Sequence, residues 1–597
     1  MFNVLSFLFI VGLIQYAVLV LLYPLCKRFI NTRHLIFVLS ASIGFFVVIL
    51  LLSIYPCVYQ DVFLTYSFDN FNKGTNFIEF NFSFSMDSLS LWFALLVSVI
   101  GFGTNLYTLG YFRGEADEGS FVFWLNLFIL SMLSLVLAGN FFTMFVGWEL
   151  IGITSFFLIN FWRTRRGVVK SSFKALTFNV ISDLLLLSAF ICFYSAYSAT
   201  NYVIFLNLLT TTALPQTNLL WFGAICLIFC AAIKSVQMIG HLWLPDSMEA
   251  PVPASSLIHS ATLVSAGIYL LCRFNSLFVL IDCVSPLVTI GALTAAYGGV
   301  VASAQTDMKK LLAYSTMSHC GFLWILASSG NTVATIIYLY LHGIFKAATF
   351  YCAGTFIRAY NTQDTRWMGN GASFLRLDSF LLIFCGANLA GLPFTIGIAY
   401  KVYFFKLILL TALSWWQIGF VFIGLLSSVV YYFRLTNYAI FDFYKNAKFY
   451  PNYSLLFTAV KLKQFNITAL NHVVATLVLV LFGIVTAYFL YWGLMNNIMM
   501  FDSVQEEIAT VVVSESKLEL LYSSYFTLFY TIYYILFLLL CLVVFRPNVF
   551  SLEALATLFY FSIFIGFLTL SCGVTLWQRL IPWIILILGF RRINQIF

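Results

Sequence analysis

Residues 144–159 read MFVGWELIGITSFFLI, sixteen residues with a single charged side chain, Glu149. Apolar sequence continues on both sides, and a membrane-crossing helix needs about 20 such residues. A charge at the bilayer centre costs about 2.5–3.5 kcal/mol on insertion scales. Glu149 is therefore either bonded inside a helix bundle, to a neighbouring Ser or Trp, or kept because its charge works. The rest of the chain sets the same problem. Of 597 residues, 62% are hydrophobic and only 9% charged, and the mean hydropathy is +0.98. Water-soluble domains carry about 25% charged residues. About 14–16 apolar runs are long enough to cross a bilayer. No stretch is long and polar enough to form a separate soluble domain. The runs are continuous, unlike the short alternating strands of an outer-membrane barrel. The sequence predicts an all-α polytopic membrane protein.

The formal charge of +8 does not point to nucleic acid, because membrane proteins concentrate Lys and Arg in loops on the cytoplasm-like side. None of the twelve cysteines forms a CxxC pair. Cys226 and Cys230 share a helix face in an apolar run, where packing is the simple reading. Iron–sulfur and zinc sites are not indicated. The segment MFNVLSFLFIVGLIQYAVLVLL is a span and lacks the Arg- and Ser-rich character of an import peptide. Together with 67 phenylalanines, this fits a chain made inside an organelle with an AT-rich genome, or in a bacterium.

Loop charges order the spans. Residues 24–34 carry Lys27, Arg28 and Arg33, whereas 60–87 carry Asp61, Asp69, Glu79 and Asp87 against Lys73. Residues 162–174 are strongly basic, so spans at 90–112, 121–139 and 142–161 are expected between. Basic loops follow at 305–310, 358–376 and 434–463, and uncharged ones near 197–218, 327–332 and 412–416. The basic loops face the matrix or cytoplasm and the N-terminus the opposite side. Residues 111–120 are an exception, with Glu115, Asp117 and Glu118 on the basic side. Beyond 546, two spans, or one span plus a helix lying along the membrane, both fit.

Glu149 is not alone. Asp183 opens the apolar run after FNVIS, Lys234 lies in LIFCAAIKSVQMIGHLWL, and His259 in SLIHSATLVSAGIYLL. His342 and Lys346 lie in YLYLHGIFKAATFYCAG, and Lys401 in PFTIGIAYKVYFFKLILL. Independently inserted, these would cost on the order of 15 kcal/mol, as much as an ordinary protein's whole stability. They persist only if they pair, meet water or work. His342 and Lys346 stand one turn apart on one helix face. Lys234 and Glu149, on different helices, are expected to pair, and separating them would act as a distance-driven switch. Lys309 and Lys310 read as a solvated pair, and His319 as a satisfied core histidine. Lys174 reads as a matrix-side charge or a proton entry, and Arg358 and Arg366 as loop anchors.

Pro245, Pro251 and Pro253 follow Lys234, and Pro393 and Gly397 precede Lys401. Interrupted membrane helices expose backbone that can line a wet cavity. Two interruptions at similar spacing suggest inverted repeats, as in many transporters. The expected organisation is N-terminal helices over 1–120, repeats over 121–272 and 273–437, and C-terminal helices over 438–597.

VGWELIGITSFFLINFW, IKSVQMIGHLWLPDSMEAPVPASSLIHSATLVSAGIYLL, DMKKLLAYSTMSHCGF and HGIFKAATFYCAG occur in this order. Over residues 80–435 the chain resembles the chain 5 family of NADH–ubiquinone oxidoreductase, the distal antiporter-like subunits of respiratory complex I. Subunits of multisubunit sodium/proton antiporters share the general pattern and are the alternative. The resemblance implies two inverted five-helix repeats with broken helices, and a proton path through Glu149, Asp183, Lys234, His259, His342, Lys346 and Lys401, with Lys401 on the exit side. It implies no cofactor or redox site in this chain, with NADH, FMN, iron–sulfur clusters and ubiquinone held by partner subunits. MGNGAS at 368–373 lacks the third glycine of a dinucleotide fingerprint. Implied partners are other membrane-arm subunits, including a sister antiporter-like subunit, and lipids such as cardiolipin. The implied location is the mitochondrial inner membrane, or a bacterial plasma membrane. Three departures stand out. Tyr338 occupies a position usually held by histidine, Val402 follows Lys401 where aspartate is usual, and 548–597 is short for the family's long lateral helix and its anchor span. A scaffold that has lost transport is a third reading, opposed by the retained buried charges.

Overall fold

The computed structural model describes residues 2–60, 64–68, 82–112, 115, 117–211, 217–369, 371, 375–392, 395–398, 400–401, 404, 407, 414–441 and 474–486. Their contacts divide into two units, Met1–Ala390 with Tyr403–Phe501, and Gly391–Val402 with Asp502–Phe597. Expectations for most of 438–597, including the lateral helix and the acidic segment 502–519, lie outside the described residues.

In the first unit, α1 (Phe2–Cys26) and α2 (Thr32–Gln60) precede a short antiparallel pair, β1 (Leu64–Phe68) and β2 (Phe82–Met86). The hairpin departs from an all-helical expectation, since its segments are too short to cross a bilayer. Then come α3 (Ser88–Tyr111), α4 (Glu118–Val136), α5 (Phe141–Ile159), α6 (Arg166–Tyr197), α7 (Tyr202–Thr211) and α8 (Thr217–Lys234). They are followed by α9 (Val252–Ser260), α10 (Leu263–Arg273), α11 (Asn275–Leu280), α12 (Val284–Ala304), α13 (Met308–Ser328) and α14 (Thr332–Tyr360). Finally come α15 (Arg376–Ala390), α16 (Trp415–Thr436) and α17 (Val474–Thr486).

Among the described residues, eleven helices are long and apolar enough to cross a membrane. Four of them, α2–α5, separate the basic loops at 24–34 and 162–174, the even number that equal loop charge requires. The acidic exception at 111–120 has a local explanation. Glu115 pairs with Arg358 at 3.8 Å, Gly119 lies against the Lys27 side chain, and Glu118 feels the charge of Arg33. The acidic loop is thus neutralised on the basic side.

Short polar residues at helix starts explain several boundaries. The Asn140 side chain accepts from the Thr143 amide at 2.8 Å, and Asp307 accepts from the Lys309 amide at 3.0 Å. Such caps satisfy amides that the helix leaves unbonded. α9, α10, α13 and α14 form the buried axis, whereas α1 and α6 show broad apolar faces to the outside. Lipid supplies no hydrophobic drive between helices, so packing relies on small residues and close backbone approach. At Gly321 on α13, an added Cβ would stand 2.6 Å from the Ala295 amide nitrogen of α12. On the side facing away from the basic loops, Arg273 at the end of α10 donates to both carboxylate oxygens of Asp87, the residue before α3. It also donates to Tyr269, whose hydroxyl donates to the Val136 carbonyl at 2.7 Å.

Candidate functional site

α8 ends where the site begins. Its last residue is Lys234, and Val236 two positions on has φ of +59°. That region is unfavourable for a β-branched side chain, so surrounding bonds must hold it. Trp243 Nε1 donates to the Ile233 carbonyl at 3.0 Å, and the Gln237 amide donates to Ala232 at 2.8 Å. These bonds satisfy carbonyls freed by the break. A cation there is favoured, because a helix C-terminus carries partial negative charge.

The Lys234 ammonium is buried 3.6 Å from Asp183 Oδ1 of α6. It donates to the Trp148 carbonyl at 3.4 Å and lies 5.0 Å over the Trp148 ring centroid. Trp148 is held by Ser182, to which its Nε1 donates at 3.3 Å. Gly152 of α5 borders this charge pair, since a Cβ there would be in ordinary contact with Lys234 Nζ at 3.5 Å and Asp183 Oδ2 at 3.6 Å.

The expected Glu149–Lys234 pair is therefore corrected: in this structure the partner of Lys234 is Asp183. Glu149 is half-buried on the α5 stripe that also carries the exposed Ile153 and Phe157. It is near enough to Asp183 for their charges to interact. One residue of rotation explains the difference. Trp148 turns its ring and carbonyl inward to Lys234, which aims Glu149 toward the outer side.

His259 lies on α9, which breaks at Ala261 and Thr262 before α10. Its Nε2 is 3.2 Å from Ser247 Oγ, its Nδ1 has no hydrogen-bond partner among the described residues, and its ring stacks on Phe350 of α14. His342 and Lys346 are completely buried on α14. The Lys346 ammonium donates to Ser315 of α13 and, at 3.4 Å, to Tyr432 of α16. Neither ring nitrogen of His342 has a hydrogen-bond partner among the described residues. Lys346 acts electrostatically on both His259 and His342. The residues foreseen by burial cost thus fall into two groups, Glu149, Asp183 and Lys234 around the α8 break, and His259, His342 and Lys346 on the buried axis. Lys401 belongs to the second unit, where it is buried and its side chain lies against Gly391.

Lys309 is not a solvated charge. It is buried and donates to the carbonyls of Met248 and Ala250 at 3.3 and 2.9 Å, which pins the linker between α8 and α9. Lys174, half-exposed, pairs with Asp246 at 2.7 Å beside Ser247. Sequence reasoning also missed the hydroxyls around Lys346. Ser315 and Tyr432 are ordinary helix residues in the sequence, and only packing aims them at the ammonium.

A family model described as NADH:quinone oxidoreductase/Mrp antiporter, TM, matches residues 138–430. Another, described as NADH-Ubiquinone oxidoreductase (complex I), chain 5 N-terminus, matches residues 74–122. NADH-ubiquinone oxidoreductase chain 5 of Paramecium tetraurelia is 41% identical over 443 residues, covering 72% of this chain and 77% of that protein. The chain 5 protein of Phytophthora infestans is 36% identical, covering 53% of this chain and 49% of the relative. That of Wickerhamomyces canadensis is 34% identical, with 54% and 50% covered. The chain thus spans about half the length of these last two relatives. Among solved structures, the Mrp complex from Dietzia sp. DQ12-45-1b contains a chain with TM-score 0.63 and 22% identity, over 86% of this chain and 58% of that one. This last likeness concerns the fold.

Proposed function

The chain belongs to the NADH–ubiquinone oxidoreductase chain 5 family, and from that premise we propose how its buried charges serve a membrane-arm subunit of complex I. The subunit translocates protons while NADH oxidation and ubiquinone reduction proceed elsewhere in the complex. FMN and the iron–sulfur clusters sit in partner subunits, and this chain contributes charge movement alone. Its setting is the mitochondrial inner membrane, with the chain encoded in the organelle, and its neighbours include a sister antiporter-like subunit. Its working parts are an N-terminal part over 1–120, inverted repeats over 121–272 and 273–437, and a C-terminal part over 438–597.

The mechanism is electrostatic. With Lys234 against Asp183, the ammonium charge is compensated and Lys346 can hold a proton. When Lys234 is drawn away from Asp183, its unbalanced positive charge acts through His259 on the axis, and Lys346 gives its proton up. Glu149, on the outer stripe of α5, is the carboxylate that a neighbouring subunit can influence, and it competes with Asp183 for Lys234. Lys174 and Asp246 stand at the matrix-side mouth beside Ser247 and His259. Lys401 serves the exit.

The observation that carries this reading is Lys346. It is completely buried, and its hydrogen-bond partners are two hydroxyls, with no carboxylate in ion-pair range among the described residues. An intramembrane charge kept without a counter-ion is expensive and marks function. The test is Lys346→Ala in the assembled complex, reconstituted in liposomes. NADH-driven proton uptake should be lost, and normal uptake would remove the scheme.

A further inference from the structure

Around Lys346 lies a second buried imidazole to which the mechanism assigns no part. His319 of α13 is fully buried. Its ring contacts that of His342, centroid to centroid 5.2 Å. Its Nδ1 is 2.9 Å from the Tyr338 hydroxyl, and its Nε2 is 3.4 Å from the Tyr431 hydroxyl. Tyr431 is in ring contact with Tyr432 at 4.7 Å between centroids, and Tyr432 accepts from Lys346. Lys346 is thus linked to His319 on two sides, through His342 and through the tyrosine pair.

We infer that His319 is a proton-carrying residue of this path, receiving the proton that Lys346 releases. Three features support the assignment. His342 keeps both ring nitrogens without a partner among the described residues in a fully buried site, so it has capacity for a transient proton or water. Both nitrogens of His319 face hydroxyls, which can donate to or accept from it, so the ring can be held in neutral or protonated form. A phenol is too weak an acid and base near neutral pH to hold the proton itself, so Tyr338 and Tyr431 position the imidazole. In the step, an N–H bond of the Lys346 ammonium breaks. The proton passes by way of His342 to the hydroxyl that donates to His319, that hydroxyl gives its own proton to the ring nitrogen as it takes the new one, and the N–H bond so formed leaves His319 with the positive charge while Lys346 becomes a neutral amine. Like charges this close disfavour one another, so one proton occupies the group at a time and moves on when the next arrives.

The inference rests on the proton-translocating reading above, and its test separates the two. His319→Gln keeps hydrogen-bonding groups for both tyrosines but cannot carry a proton. His319→Gln with Tyr338→His returns an imidazole to the group, one turn before His342. Both are compared with Lys346→Ala in the assembled, reconstituted complex, with assembly followed by native mass. NADH-driven proton uptake should fall about tenfold or more in His319→Gln, the scale of a lost acid–base group, and recover in the double variant. Normal uptake in His319→Gln overturns the inference. So does a loss that the double variant fails to reverse, which would make His319 a packing residue. Loss in Lys346→Ala with normal His319→Gln defeats this inference alone, whereas normal Lys346→Ala defeats the reading beneath it.

Discussion

Asp183→Asn isolates the charge pair at the α8 break. The substitution preserves shape and removes the negative charge 3.6 Å from Lys234. At an effective dielectric constant of about 20, an ion pair at this distance is worth roughly 4.6 kcal/mol. Stretched to about 7 Å it would keep roughly 2.4 kcal/mol. The difference, roughly 2.2 kcal/mol, is comparable with the cost of about 2.3 kcal/mol for moving one charge against 100 mV. The pair has the energy scale that a switch for one proton needs. In Asp183→Asn there is no pair to open, and the drive to Lys346 is lost. Proton uptake should slow by about 40-fold if the whole difference is coupled, since about 1.4 kcal/mol is one decade in rate. The assay is NADH-driven acidification of liposomes holding the intact complex, with native mass confirming assembly. Double-mutant cycles of Lys234→Met with Asp183→Asn and with Glu149→Gln then apportion the coupling. The Asp183 cycle should show the larger interaction. Wild-type uptake in Asp183→Asn, together with strong coupling to Glu149, would refute Asp183 as the resting partner.

Two further outcomes follow from groups outside the pair. Burial pushes the Asp87 carboxyl up, but the charge and hydrogen bonds of Arg273 outweigh it and hold Asp87 below the ordinary carboxylate value. A lowered folded-state value gives stability that is full above the unfolded value of about 4 and is lost as pH falls from there through the lower folded-state value. Asp87→Asn should therefore destabilise the subunit by about 3–5 kcal/mol near neutral pH, because Arg273 is left buried and unpaired, and should flatten the acid limb of a thermal-stability profile. An unchanged profile would exclude the pair as an acid-sensitive clamp. Lys309→Met leaves the Met248 and Ala250 carbonyls without their donor, which should cost about 1–3 kcal/mol. Hydrogen exchange over residues 241–251 should speed up in this variant, and unchanged exchange would show that the linker is held by other contacts.

The sequence by itself determined that this chain crosses a membrane many times, and its loop charges proposed a direction for the crossings. Both follow from composition along the chain, because the cost of placing charge in lipid acts on each segment separately. It also singled out Glu149, Asp183, Lys234, His259, His342, Lys346 and Lys401, since an ionizable group in an apolar run is anomalous wherever its neighbours turn out to be. Pairing was not legible. The sequence points to Glu149 as the partner of Lys234, and only the rotation of α5 that turns Trp148 to the lysine leaves Asp183 in that place. Lys309 reads as a surface charge until its ammonium is seen on the linker carbonyls. His319 looks like a core histidine until α13 sets it against His342 and Tyr338. Those outcomes depend on helix rotation and on contacts between residues far apart in sequence. Burial cost is a property of one segment, whereas partnership is a property of two, and only the packed bundle decides it.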